Sequence, residues 1–169
     1  MMIDLLDKHI ANLFESFEWS AYDTSCIKPY LRDQTNCNLS KKSLELPLLI
    51  PKMLIELTQL IRDDSVSPAL RALAGGIYSY VFNPFDYINE ESVGFLGLID
   101  DVLIVFYGMQ LIEALGKHEC FPIVHEQDLQ EAVKQWENVL SKEIVLAFKA
   151  YPRQVGGILA TDLSKAECL

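Results

Sequence analysis

The stretch from Asn83 to Ile112, NPFDYINEESVGFLGLIDDVLIVFYGMQLI, is strongly apolar, yet it carries Asp86, Glu90, Glu91, Asp100 and Asp101 with no Lys or Arg among them. Carboxylates in such surroundings admit three chemistries. Oxygen ligands from two adjacent turns suit Mg²⁺ or Ca²⁺. A one-signed patch steers a basic partner. Acids at helix starts accept unpaired backbone N–H groups and sit favourably in the helix dipole. For a metal site, the sequence lacks a loop of alternating acids around a central Gly, and the 14 positions between Asp86 and Asp100 are not a ligand spacing. The third chemistry fits best. Asp86 follows Pro84 at the start of a short turn, and Asp100 and Asp101 stand at the start of the apolar helix that runs on from Val102. These residues are read as structural, and no metal is assigned. A buried aspartate here would take its cation from the preceding helix, whose one base is Arg71.

A second group of chemically capable residues, His118, Cys120 and His125, shares one loop. Their H-x-C-x₄-H spacing matches no common zinc finger, so they carry no metal assignment. The four cysteines lie 11, 83 and 48 positions apart, neither a C-x-x-C knuckle nor a redox pair, and are read as free thiols of a reducing cytosol. No G-x-S-x-G, P-loop or H-E-x-x-H string occurs. With no paired nucleophile and base to name, the chain is read as a non-enzyme with no catalytic residues and no cofactor.

The charge balance narrows the partners. Fourteen Lys and Arg oppose 24 Asp and Glu, a net charge of −10. Such a chain repels phosphate backbones, which argues against direct nucleic-acid binding. Between Arg71 and Lys117 there is no base and there are six acids, Asp86, Glu90, Glu91, Asp100, Asp101 and Glu113. The same stretch is rich in aromatics. Phe85 and Tyr87, lying off the buried faces, would leave an apolar patch beside Glu90 and Glu91, and these four residues form the candidate partner-binding surface.

The elements that must position these residues follow from periodicity. Ile3, Leu6, Ile10, Leu13, Phe14 and Phe17 mark an amphipathic helix over 3–18, and the polar run 22–42 reads as a loop or short irregular turns. A helix over 51–62 turns Met53, Leu54, Leu57, Leu60 and Ile61 inward. The next is capped by Ser67, opened by Pro68 and stopped at Pro84. Its mid-helix Gly75 and Gly76 predict a close approach by the helix over 98–115, which Gly116 ends. A last long helix covers 126–151, and the final 17 residues read as a loose tail. Strand alternation is weak throughout. The expectation is a single all-α domain over 1–169, a compact bundle of about six helices with irregular loops. The uninterrupted apolar run 102–112 is too short for a membrane span of about 20 residues, and the N-terminus has acids where a signal peptide needs bases. A cytoplasmic location is expected.

The ordered positions Tyr80, Pro84, Asp86, Ile88, Gly97, Asp100 and Asp101 resemble the core of the YkvA-like domain, a helical domain of unknown function, over about residues 51–115. The resemblance implies a helical fold and adds Gly97 to the structural positions; Asn89 departs from it, standing where a second proline is usual. On charge, size and the missing catalytic motif, the expected function is that of an acidic binding protein for a basic protein partner. In its concrete form this is an inhibitor or immunity protein that neutralises a toxin such as a nuclease. An alternative is a peripheral membrane or membrane-complex accessory protein, against which the acidic charge argues, because anionic lipid attracts Lys and Arg. A third is a metal-dependent hydrolase built on the aspartates.

Overall fold

The structure, a computed structural model, describes residues 8, 24–32, 39–83, 87–88, 93–117 and 120–166, without the side chains of 24–26 and 158–166. Apart from Lys8, the expected helix over 3–18 lies outside the described residues, as do Pro84, Phe85, Asp86, Asn89, Glu90, Glu91 and His118.

Six α-helices form among the described residues: α1 (Lys41–Leu44), α2 (Ile50–Arg62), α3 (Pro68–Tyr80), α4 (Ile99–Gly116), α5 (Gln127–Val139) and α6 (Lys142–Ala166). Short 3₁₀ turns at Thr24–Tyr30, Leu46–Leu49, Gly94–Leu98 and Pro122–His125 connect them. The fold is all-α, and no strand occurs among the described residues. Prolines sit where a missing N–H costs nothing: Pro51 and Pro68 occupy the first turns of α2 and α3. Ser67 caps α3, its hydroxyl accepting from the N–H of Leu70 at 3.4 Å. Of the inward residues expected on α2, Met53, Leu54, Leu57 and Leu60 are buried and Ile61 packs half-buried against them.

The α4 helix is the axis of the bundle. Every residue from Ile99 to Met109 is buried, so the helix is apolar on all sides because it has neighbours on all sides. The segment Gly94–Gly116 is long and apolar enough to cross a membrane by length and composition, but 89% of its most apolar window is buried inside the fold. The first turn of α4 joins the end of α3, and α6 packs on both helices.

The glycine expectation is corrected. The α3–α4 contact is made by Ile77, which lies over Gly108 of α4 so closely that a Cβ there would stand 2.5 to 2.9 Å from its carbons. Gly76, one residue or about 100° round the helix from Ile77, faces α6 instead, where a Cβ would run into Val155. Gly75 has no atom within 4 Å of such a Cβ.

Three boundaries also differ from the sequence reading. The single helix expected over 126–151 is two helices with a bend between them, because Leu140 leaves helical geometry and enters the core. Its flanks bond to the 24–30 turn and the residues after it: the N–H of Arg32 donates to Val139 O and that of Ser141 to Tyr30 O, both at 2.8 Å. Ser141 then caps the new helix through the N–H of Ile144. The tail expected after Tyr151 is helical through Ala166. Gly116 does not break α4; Lys117 takes the left-handed conformation beyond it, at φ 59°.

Candidate functional site

The site grows from the junction of α3 and α4. Because α3 ends at Tyr80 and α4 begins at Ile99, the phenol of Tyr80 and the carboxylate of Asp100 meet inside the fold. Tyr80 donates to Asp100 Oδ2 at 2.9 Å, and the backbone N–H of Ile88 donates to the same oxygen at 3.1 Å. Asp100 Oδ1 accepts from the N–H of Asp101 at 3.1 Å. The N–H of Tyr87 reaches back to the Tyr80 oxygen at 3.4 Å. Asp100 is 0% exposed and Asp101 1%. Both lie in the first turn of α4, where the dipole favours negative charge. Burial, reinforced by the charge of Asp100, raises the Tyr80 pKa, so the phenol keeps its proton and acts as a donor.

The expected Asp100–Arg71 ion pair is absent. Arg71 pairs with Asp64 on the surface at 2.7 Å. The reason is distance along the helix: nine residues separate Arg71 from Tyr80, about 13 Å of rise, so the base sits at the wrong end of α3. Backbone amides and a phenol satisfy Asp100 in its place. The partner set of Asp100 therefore differs from the expected one. Gly97 lies buried in the turn before α4, among Phe95, Leu96 and Leu98.

This junction clamps a turn. Ile88 is fully buried, while Tyr87 is 45% exposed with its ring edge-on to Phe148 at 5.4 Å between centroids. Of the candidate partner-binding residues, Tyr87 is the one described, and it stands at the surface. The acidic window is less of a face than the sequence suggested. Asp100 and Asp101 are interior, and Glu113 turns its oxygens to the chain: Oε1 accepts from the N–H groups of Cys120 and Phe121 at 2.8 Å each, and Oε2 lies 3.0 Å from His125 Nε2. His125 is thereby engaged by a carboxylate. Burial, with the charges of Glu113 and Glu56, pushes the Cys120 thiol up to about 11.

A second polar centre, which sequence reasoning missed, lies in a cleft between α4, α5 and α6. Tyr107 donates to Glu137 Oε1 at 2.8 Å, Lys149 reaches the same oxygen at 2.6 Å, and the Lys149 ammonium lies 5.2 Å from the Tyr107 ring centroid. Burial raises the Glu137 pKa, but the hydrogen bonds and charge of Lys149, together with the Tyr107 bond, outweigh it and hold the carboxyl below its ordinary range. On one continuous helix Glu137 and Lys149 would stand about 18 Å apart. The signal that could have shown the break is Ser141 with Glu143 two positions on, a helix-start pattern inside an otherwise periodic run.

The class of protein is thus an all-α bundle around a buried central helix whose entry is fixed by a tyrosine–aspartate bond. Residues 70–107, which run from α3 into the first half of α4, match the model of the family described as "Protein of unknown function (DUF1232)". The match agrees with the YkvA-like resemblance, includes Tyr80 and Asp100, and stops short of Glu137 and Lys149. No curated protein and no solved structure matches the chain.

Proposed function

We propose that the protein is a cytoplasmic, non-catalytic binding protein that holds a basic protein partner, with the clamped turn at Tyr87 as the centre of the contact. The observation that carries this reading is the clamp itself. Tyr80 and Asp100 accept the two backbone N–H groups that flank the Tyr87 Cα, those of Tyr87 and Ile88, so an exposed aromatic is presented from a fixed backbone. A preordered aromatic anchor loses little freedom on binding, which is what a hot spot requires. Glu90 and Glu91 follow it in sequence, and the chain's net charge of −10 supplies long-range attraction for a basic surface. The concrete form we favour is an inhibitor of a basic toxin such as a nuclease, whose own site must attract phosphates.

The test uses the tagged full chain to capture its partner from its own cells and then measures association kinetics. The expected result is an on-rate that falls about tenfold or more as salt rises, with little change in dissociation. Tyr87→Ala should speed dissociation, and Glu90→Lys with Glu91→Lys should slow association, both without unfolding. A partner whose affinity ignores salt and all three substitutions overturns the reading. Binding to anionic vesicles in place of a protein would move it to the membrane-accessory alternative.

A further inference from the structure

The cleft between α4, α5 and α6 has a volume of about 600 Å³, inside the range of roughly 300 to 1,000 Å³ typical of small-molecule sites. Phe106, Leu111 and Val133 give it apolar wall. Its single carboxylate, Glu137, is already matched by Lys149 and Tyr107. Two further cations line the same cleft, Lys134 from α5 and Arg153 from α6, and neither forms an ion pair among the described residues. The lining of the cleft is therefore net positive, three bases against one carboxylate, in a chain that is strongly negative as a whole.

We infer that this cleft binds a small organic anion, a carboxylate or phosphate carried on an apolar body, with the body against Phe106, Leu111 and Val133 and the anionic group toward Lys134 and Arg153. A cation, or the positive end of a zwitterion, would meet an excess of like charge, three bases against one carboxylate. A simple anion avoids that repulsion, and its approach to Arg gains the planar donor fork suited to carboxylate and phosphate. The proposal is independent of the turn at Tyr87, which lies outside this cleft.

The probe is 8-anilinonaphthalene-1-sulfonate, an anion on an aromatic body, followed by fluorescence with the full chain. The expected result is saturable one-site binding that octanoate or octyl phosphate displaces, the better competitor identifying the preferred head group. Lys134→Gln with Arg153→Gln should weaken the probe about tenfold or more. Both side chains are exposed, so the circular dichroism spectrum should not change; each single variant gives a smaller loss in the same direction and covers the case of a misfolded double variant. Unchanged affinity in the charge variants overturns the proposal. So does equal affinity for N-phenyl-1-naphthylamine, the uncharged probe of similar body, since that would show an apolar surface with no use for the cations.

Discussion

The same chemical pair occurs twice in this protein with opposite consequences. Tyr80 donates to Asp100 at 2.9 Å and Tyr107 donates to Glu137 at 2.8 Å. In the first pair the backbone amides of Ile88 and Asp101 also donate, and they cannot leave without unfolding the junction; the carboxylate is sealed from water. In the second, the other donor is Lys149, a long side chain at the edge of an open cleft, and the carboxylate is only partly covered. What separates a structural carboxylate from an adjustable one is therefore the mobility of its other donors and its access to water. Residue type and the tyrosine bond are shared.

The largest effect expected from this difference is at Asp100. Asp100→Ala strands the Ile88 amide and the Tyr80 hydroxyl in the interior and should cost about 3 to 5 kcal/mol in urea unfolding. Arg71→Gln, which removes a surface pair with Asp64, should cost about 0 to 1 kcal/mol and add to an Asp100→Asn change without coupling. A loss below about 1 kcal/mol for Asp100→Ala would erase the distinction between the two pairs.

Removing the phenols compares the pairs directly. Tyr80→Phe should cost about 1.5 to 3 kcal/mol, because a buried charged acceptor loses its donor, and Tyr107→Phe about 0.5 to 1.5, because Lys149 and water remain for Glu137. Equal losses in the two variants would mean that solvent access is not what distinguishes them.

The smallest effect is a pH dependence confined to the cleft. Glu137 has its folded pKa held below the ordinary 4.5, so its contribution to stability is fully present above that value and is lost as pH falls through the folded one. The difference in stability between the wild type and Glu137→Gln should therefore shrink on acidification below about pH 4.5, and at neutral pH it should stay within about 1 kcal/mol and fall with salt. A difference that grows on acidification would reverse the assigned sign.

Much of the fold was legible. Ser67 and Pro68 mark the start of α3, the periodic leucines of α2 mark its inner face, and the unbroken apolar run after Asp101 marks a buried helix. Each is a local pattern with a local physical cause. The candidate site was legible in part: Tyr80, Ile88 and Asp100 belong to the sequence pattern that resembles a helical domain family, and Asp100 was read as structural. Its partners were not. The sequence offered Arg71 as the one base of the preceding helix, and only the crossing of α3 and α4 showed that the phenol at the helix end was nearer.

Sequence alone determined the helical class, the net negative charge and the positions of the capping and helix-opening residues, because these depend on neighbours a few positions apart. The tertiary structure decided which glycine faces which helix, that Leu140 breaks a periodic run to enter the core, and that Glu137 meets Lys149 across the resulting bend. Those outcomes depend on contacts between residues far apart in the chain, where a rotation of about 100° per residue or a single non-helical residue redirects every side chain beyond it.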